Sequence, residues 1–234
     1  MKNLLFVLAL VVGTLVNAQT NTELLKHYEA YYKQMKNQGD VQGLINALTH
    51  LNVLQPNQAR KDTLAYLYAN GKNYIQALNT IGIEKNESDS DLSVEVKAIS
   101  LKALNQLPRA IEHYDVLYAR KPNVYLAYDL ADLKIQVNDI EGASKHIEYG
   151  LANVKDDMKY AFYEAQRPYE VSFKAAFIHL KGLLTFRKDQ KNIDGALVFI
   201  NEALKLDPNF NLASLSRDAL ENKKKQDAAA AVKN

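Results

Sequence analysis

Apolar residues recur at steps of three and four along most of the chain, the pattern of helices that pack on one side. The stretch KNIDGALVFINEALKLDPNF, residues 191–210, places Ala196, Ile200 and Ala203 on one helical face. The residue before a proline is pushed out of helical geometry, so the Asp-Pro dipeptide that follows predicts a helix end at about Leu206. Alternating runs of β-branched residues are scarce after residue 20, and the pattern therefore predicts an all-α fold.

The same helix occurs five times, each time with a polar residue followed by apolar, small and apolar positions. The five copies begin at Asp40, Asn73, Gln106, Asp139 and Asn192. The position that is small in most copies is Leu44, Ala77, Ala110, Ala143 and Ala196 in turn, alanine in four of the five. The first four are 33 residues apart and the last follows after 53. Constant spacing predicts a repeated structural unit. Asp and Asn at the first position predict N-terminal caps that accept bonds from free backbone N–H groups, with Gln106 as the weak member.

A second amphipathic helix precedes each of these helices, so the sequence predicts helix pairs; we call the upstream member the first helix and the capped member the second helix. The predicted first helices cover residues 22–38, 58–70, 91–105, 124–137 and 171–188. Small residues in the middle of the first helices predict close helix approach at Ala65, Ala98, Ala131 and Gly182, whereas Tyr32 departs from this rule. A single pair cannot bury its apolar face, so the pairs are predicted to stack into a right-handed solenoid.

These pairs resemble the tetratricopeptide repeat (TPR) family. The best copy is 177–209, where Gly182, Ala196, Ala203 and Pro208 match the family's small-residue and proline positions. The third copy adds Ala98, Ala110, Tyr114 and Pro122, and the first copy ends at Pro56. The resemblance covers about 22–220 and implies an all-α solenoid of about five helix-turn-helix repeats with a C-terminal capping helix. Ankyrin repeats share the period but their T-P-L-H signature is absent; a helical bundle without true repeats is the other alternative.

The first 20 residues differ in kind from the rest. Lys2, an apolar run over 4–16 and a small-residue site ending at Ala18 predict a secretory signal peptide, 1–18, cleaved between Ala18 and Gln19. Thirteen apolar residues at 1.5 Å each are too short for about 30 Å of hydrocarbon, so no stable membrane span is predicted. The chain has no cysteine, and an exported, periplasmic or secreted protein of this kind must be stabilised without disulfides.

The predicted repeat domain, 19–220, has two departures and a basic, Ala-rich tail at 221–234, where a capping helix is expected to fray. An insertion of about 153–170 is predicted to form a short helix at 158–165 with a break at Pro168. Its four aromatic residues either form a binding element or fill the gap between repeats: Tyr160, Phe162, Tyr163 and Tyr169. The polar link 83–93 lacks the glycine and closing glutamate of a calcium loop and predicts a solvated linker with Ser90 or Asp91 capping the next helix.

Composition and motifs exclude several function classes. The formal charge of +2 is small and its signs are interspersed, so no nucleic-acid partner is predicted. The five histidines include no HExxH, and the chain has no nucleophile elbow, dinucleotide fingerprint or P-loop. We therefore predict a non-enzymatic protein with no cofactor and no metal, leaving open an active site assembled from distant residues.

The family resemblance implies that the first helices line a groove for an extended peptide or a partner's helix. Transferring the family's groove positions by register gives Lys33, Asp62, Tyr66, Asn70, Glu95, Ile99, Lys102, Tyr125, Tyr128, Asp132, His179 and Leu183. The prediction is an exported scaffold that binds a peptide or protein partner in the cell envelope or outside the cell. The alternatives are a structural subunit of an envelope assembly and an enzyme with its site in the groove. Packing between helices is the competing explanation for each groove tyrosine, and the oligomeric state stays open.

Overall fold

The computed structural model describes residues 21–233 and divides the chain into two compact units, with the boundary after Gln106. The described residues form eleven helices and one two-stranded sheet. None of these helices combines the length and the apolar character needed to cross a membrane. The predicted signal peptide, 1–18, and its Ala18–Gln19 cleavage site lie outside the described residues.

The N-terminal unit contains five helices. They are α1 (21–38), α2 (Val41–Leu54), α3 (Gln58–Asn70), α4 (Tyr74–Ile81) and α5 (Asp91–Ala103). Helix α3 packs against α2, α4 and α5, and α4 also packs against α5. Ala65 and Ala77 are fully buried between α3 and α4, because small side chains let the two backbones approach closely.

The C-terminal unit contains six helices and a β-hairpin. They are α6 (Leu107–Arg120), α7 (Val124–Gln136), α8 (Ile140–Asn153), β1 (Lys159–Phe162), β2 (Tyr169–Ser172), α9 (Phe173–Lys188), α10 (Ile193–Leu206) and α11 (Asn211–Lys233). Each helix packs against the next, and α7 also packs against α9. One apolar core, from Val124 to Leu220, includes residues of both strands. The fold-class prediction of packed helix-turn-helix pairs is confirmed, with the hairpin as the exception.

The predicted N-terminal caps form in three of the four Asp and Asn copies. Asp40, Asp139 and Asn192 accept bonds of 2.9, 2.9 and 3.1 Å from the backbone N–H groups of Gly43, Gly142 and Gly195. A Cβ atom at any of these glycines would lie within 2.8 Å of the capping side chain. Helix α4 has Gln76 at the equivalent position, and Asn73 makes no such bond. The Asn73 cap prediction is therefore wrong, whereas Ser90 caps α5 as expected, accepting from Ser93 at 3.1 Å.

The small positions of the repeat are confirmed in four of five copies. Ala77, Ala110, Ala143 and Ala196 are fully buried, while Leu44 is only half-buried. In α2 the tight contact belongs to the preceding residue, because a Cβ on Gly43 would collide with the thioether of Met35.

The structure corrects the prediction for the insertion. Residues 159–162 and 169–172 form antiparallel strands instead of the helix predicted at 158–165. Strand alternation puts Tyr160, Phe162, Tyr169 and Val171 on one face, and aromatic and β-branched residues favour such a half-buried pleated surface. Helix α9 consequently begins at Phe173, two residues later than predicted. At the other end, α11 continues through 221–233, where a fraying tail was expected.

Candidate partner-binding surfaces on the first helices

All twelve predicted groove residues lie on first helices, but they differ in exposure. The N-terminal unit holds Lys33, Asp62, Tyr66, Asn70, Glu95, Ile99 and Lys102, and the C-terminal unit holds Tyr125, Tyr128, Asp132, His179 and Leu183. Three of them, Asp62, Tyr128 and His179, are buried and are unavailable to a partner. The groove assignment of these three is wrong in physical terms, because their side chains already have partners inside the fold.

Two of the exposed apolar side chains in the N-terminal unit lie on the first helices α3 and α5. Tyr66 is 42% exposed on α3 and Ile99 is 40% exposed on α5. They are 33 residues apart, so they occupy the same position of successive helix pairs. Each is the one large apolar side chain that its helix exposes. Because α3 and α5 pack against each other, the two positions belong to one surface.

Three polar residues flank this apolar pair. Asn70 lies one turn after Tyr66 on α3, and Glu95 and Lys102 lie one turn before and after Ile99 on α5. Asn70 and Glu95 are exposed and Lys102 is half-buried. We call these five residues the Tyr66–Ile99 surface. An exposed aromatic and an aliphatic side chain with nearby donors and acceptors is the composition of a peptide- or protein-binding patch.

Asp62 is a structural residue of the N-terminal unit. Its carboxylate accepts bonds from Gln58 Nε2 at 2.8 Å and from Ser90 Oγ at 2.6 Å. Ser90 in turn caps α5 through the backbone N–H of Ser93. The buried carboxylate thus joins α3 to the start of α5, and it fixes the relation between the two helices that carry Tyr66 and Ile99.

The polar link between α4 and α5 is held by a buried lysine. Lys97 Nζ donates to the backbone carbonyl of Glu84 at 2.8 Å and to the Asp89 carboxylate at 2.6 Å. A surface cleft of about 590 Å³ is lined by Gln58, residues 81–89 and Lys97. The solvated-linker prediction is therefore wrong for Asp89, which is partly covered and pairs with Lys97. In the described part of the chain, no group of three potential metal ligands comes together.

In the C-terminal unit, the hairpin covers the faces of the first helices. Tyr160 packs on Tyr128 of α7 with ring centroids 4.4 Å apart and on Phe173 of α9 at 4.7 Å. Phe162 packs on Phe210, next to the start of α11, at 5.0 Å. Burial raises the pKa of both Tyr128 and Tyr160, so both phenols stay protonated. Of the four insertion aromatics, three pack as the gap-filling alternative expects, and only Tyr163 projects into solvent.

Hydrogen bonds fix the hairpin to the last two helices. The Tyr169 hydroxyl donates to the Glu164 carboxylate and accepts from the backbone N–H of Leu212, in the first turn of α11, at 3.2 Å. The backbone N–H of Ser172 donates to Asp207 at the end of α10, at 2.9 Å. Burial and the bond to Glu164 raise the pKa of Tyr169 to about 12. The hairpin is thus attached to α7, α9, α10 and α11.

His179 is buried beneath this arrangement. Its Nε2 lies 2.9 Å from the Ser216 hydroxyl, which itself donates to the Leu212 carbonyl at 2.9 Å. The serine hydrogen is used in that bond, so His179 Nε2 is the donor and Nδ1 carries no hydrogen. Nδ1 is buried without a hydrogen-bond partner in the described chain, and burial lowers the pKa of His179 to about 4. Of the other three C-terminal positions, Asp132 and Leu183 are half-buried and Tyr125 is exposed.

Sequence reasoning missed a polar network between α6, α7 and α8. Lys134 Nζ lies 2.9 Å from Asp115 and 3.3 Å from His146 Nε2. Burial, then the Lys134 charge, lowers the pKa of His146, so the neutral imidazole accepts from the ammonium group. A Cβ on Gly142 would lie 2.8 Å from Lys134 Cδ, so this glycine leaves room for the lysine stem. The network joins three helices of the C-terminal unit.

Comparisons with known proteins bear on the fold. No family model and no curated protein matches the sequence. Among solved structures, a tetratricopeptide repeat protein from Parabacteroides merdae matches with a TM-score of 0.63 and 16% identity over 92% of this chain and 77% of that chain. MamA, residues 41 to end, from Desulfovibrio magneticus RS-1 matches with a TM-score of 0.58 and 12% identity over 80% of this chain and 97% of that chain. The fold predicted from the repeats, that of tetratricopeptide repeat proteins, is confirmed.

Proposed function

We propose that this chain is an exported helical-repeat scaffold that binds an extended peptide or a protein partner on the Tyr66–Ile99 surface. One observation carries the proposal: α3 and α5 each expose a single large apolar side chain, and both occupy the same repeat position. The fold supports it, since helix pairs of this kind present successive first helices side by side.

The chemistry of the surface favours a partner with apolar anchors. Tyr66 and Ile99 are 42% and 40% exposed, so burying the exposed part of each side chain contributes about 1 kcal/mol. Aromatic anchors near the centre of an interface commonly carry much of its affinity. The amide of Asn70 both donates and accepts, so it can pair with the backbone of an extended peptide. In the C-terminal unit the protein's own hairpin packs on Tyr128, whereas the apolar pair Tyr66 and Ile99 stays exposed in the N-terminal unit.

Selection of peptides tests the proposal directly. A phage-displayed library of random peptides is selected on the purified protein, and dissociation constants of synthetic copies are measured by fluorescence anisotropy. The double variant Tyr66→Ala/Ile99→Ala is expected to weaken binding by at least about tenfold, since truncating central anchors costs about 2 kcal/mol or more.

The matched control replaces two exposed apolar side chains on second helices of the same unit, Val53→Ala/Ile75→Ala. It is expected to bind within about twofold of the unaltered protein, because these residues lie outside the proposed surface. The assignment to Tyr66 and Ile99 would be contradicted if every selected peptide bound both double variants as tightly as it binds the unaltered protein.

The export part of the proposal rests on residues 1–20. A charged start, an apolar core and the small residues ending at Ala18 are the features that signal peptidases recognise. Expression in a secreting bacterial host, followed by N-terminal sequencing of the exported chain, is expected to give Gln19 as the first residue. Recovery of the chain only in the cytosol, with residues 1–18 still attached, would refute export.

A further inference from the structure

The two edges of the hairpin differ. The backbone N–H of Phe173 donates to the carbonyl of Met158 at 3.0 Å, and the register pairs Lys159 with Ser172. In an antiparallel ladder, hydrogen-bonded and non-hydrogen-bonded pairs alternate. Tyr160 and Phe162 therefore exchange bonds with β2, whereas the backbone groups of Lys159 and Ala161 point away from it.

The outer edge of β2 is engaged at Ser172, one of its two outward-pointing residues. The outward N–H of Ser172 donates to Asp207, and the Tyr169 hydroxyl holds the strand against the first turn of α11. The outer edge of β1 has no such cover. Within 21–233, the outward backbone groups of Lys159 and Ala161 have no described hydrogen-bond partner, which makes two N–H donors and two carbonyl acceptors in extended geometry.

We propose that β1 pairs with an extended segment of a partner protein, which adds as a third strand beside Lys159 and Ala161. This proposal goes beyond the proposed function, because it places a separate peptide contact on the C-terminal unit. Alternate outward N–H and C=O groups are satisfied by a β-strand and by no helix. Side chains on the Tyr160 face of such a strand would reach Tyr160 and the neighbouring Tyr125. Tyr125 is 49% exposed on α7, and its ring centroid lies 6.4 Å from that of Tyr160. The segment is accordingly extended and carries an apolar or aromatic residue.

A second copy of this chain is the competing occupant. Only two residues of β1 offer outward backbone groups, so a β1–β1 contact gives four hydrogen bonds and little buried area. Stable dimers bury well over about 1,000 Å². A peptide segment that also packs on Tyr125 gains apolar area that the strand edge alone does not offer.

Two proline substitutions in one cross-strand pair test the outer edges of β1 and β2 independently. Ala161 and Glu170 face each other in a pair whose backbone groups point outward, so proline at either position removes an outward N–H and leaves the bonds between the strands. Ala161→Pro removes a donor from the proposed edge, and Glu170→Pro removes one from the opposite edge. Both variants are checked by circular dichroism for helical content and by thermal unfolding.

The probes are synthetic peptides selected from the random phage library on the unaltered protein. At least one peptide is expected to bind Ala161→Pro about tenfold or more weakly than it binds the unaltered protein. The same peptide should bind Glu170→Pro and Tyr66→Ala/Ile99→Ala within about twofold of the unaltered protein. On binding that peptide, amide hydrogen exchange of Lys159 and Ala161 is expected to slow about tenfold or more, while exchange of Tyr160 and Phe162, already bonded to β2, stays unchanged.

Other outcomes overturn the inference in distinguishable ways. Peptides that all depend on Tyr66 and Ile99 but not on Ala161→Pro leave the proposed function standing and remove the strand edge. Equal loss with Ala161→Pro and Glu170→Pro contradicts edge pairing, since damage to the hairpin would then explain both. A wild-type dimer that Ala161→Pro converts to a monomer would place a second copy on the edge. Selection of no peptide contradicts both proposals.

Discussion

The ring of Tyr160 on β1 lies 4.4 Å, between centroids, from the ring of Tyr128 on α7. A residue of the insertion thus covers the α7 position one turn before Asp132, which is the repeat equivalent of Tyr66 and Ile99. Tyr128 is buried as a result, and its substitution would report on stability rather than on binding.

Tyr160→Ala is expected to destabilise the C-terminal unit by about 2–4 kcal/mol, because it removes ring contacts with Tyr125, Tyr128, Phe162 and Phe173. The free energy of unfolding is measured by urea titration with circular dichroism. Tyr163→Ala is the matched control on the same hairpin, and since Tyr163 is 75% exposed, it should change stability by less than about 0.5 kcal/mol. Equal effects of the two substitutions would rule out the packing role of Tyr160.

Lys97→Met is expected to destabilise the N-terminal unit by about 3–5 kcal/mol. The substitution takes the ammonium group away from the Asp89 carboxylate and the Glu84 carbonyl, and breaking one side of a buried pair is costly. Hydrogen exchange of residues 83–89 should become faster at the same time. Lys174→Met, from the exposed pair with Asp156, serves as the control, with an expected change below about 1 kcal/mol. An unaltered exchange rate in 83–89 would show that Lys97 does not hold the link.

The buried imidazole of His179 makes stability depend on pH. Its pKa is lowered from 6.5 to about 4 in the folded protein, chiefly by burial. Above pH 6.5 the His179 imidazole is neutral in both the folded and the unfolded protein, so folding stability does not depend on its protonation. As the pH falls from 6.5 to 4, only the unfolded protein gains a proton on this imidazole. Folding stability should therefore drop by about 3 kcal/mol across this window through His179 alone.

The comparison uses His179→Gln, which keeps a donor for Ser216 and does not titrate. Its stability relative to the unaltered protein is measured by urea unfolding at pH 7.5 and at pH 4.5. The difference between the two proteins should shrink at the lower pH, whereas exposed His50→Gln should follow the unaltered protein at both values. A constant difference for His179→Gln would contradict the lowered pKa.

Gly182→Ala tests the close approach of α9 and α10. The added Cβ would lie 2.7 Å from Ile200 Cδ1 and 3.1 Å from the Ala196 carbonyl, so an overpacking cost of about 1–3 kcal/mol is expected. Ile200→Val removes the colliding methyl group. The double variant should be more stable than the sum of the two single effects predicts, as measured by urea unfolding. Strict additivity would mean that the two side chains do not collide.

Features that depend on neighbouring residues in the sequence were predictable. The bounds of α3 and the end of α10 follow from local patterns, with Asn57 capping α3 and an Asp-Pro dipeptide stopping α10. The 33-residue spacing placed the buried alanines correctly, because one helix pair repeats the same packing problem as the next.

Features that depend on distant residues were not predictable. The Asp62 carboxylate is hydrogen-bonded to Ser90, 28 residues away, and the His179 ring to Ser216, 37 residues away. Strands of four residues are too short for a periodic signal, and Tyr160 forms a strand because its ring packs on α7 and α9. Register therefore placed the predicted groove residues on first helices without telling which of them face solvent.

Photo-crosslinking from a single cysteine tests binding at the Tyr66–Ile99 surface, and the absence of cysteine from the chain makes such labelling specific. Ile99→Cys and Val53→Cys are each labelled with a benzophenone maleimide and irradiated with a peptide selected on the unaltered protein. We expect crosslinking from position 99 and little from position 53, and we expect an excess of peptide to abolish the crosslinking from position 99. Crosslinking from position 53 but not from position 99 would contradict binding at the Tyr66–Ile99 surface.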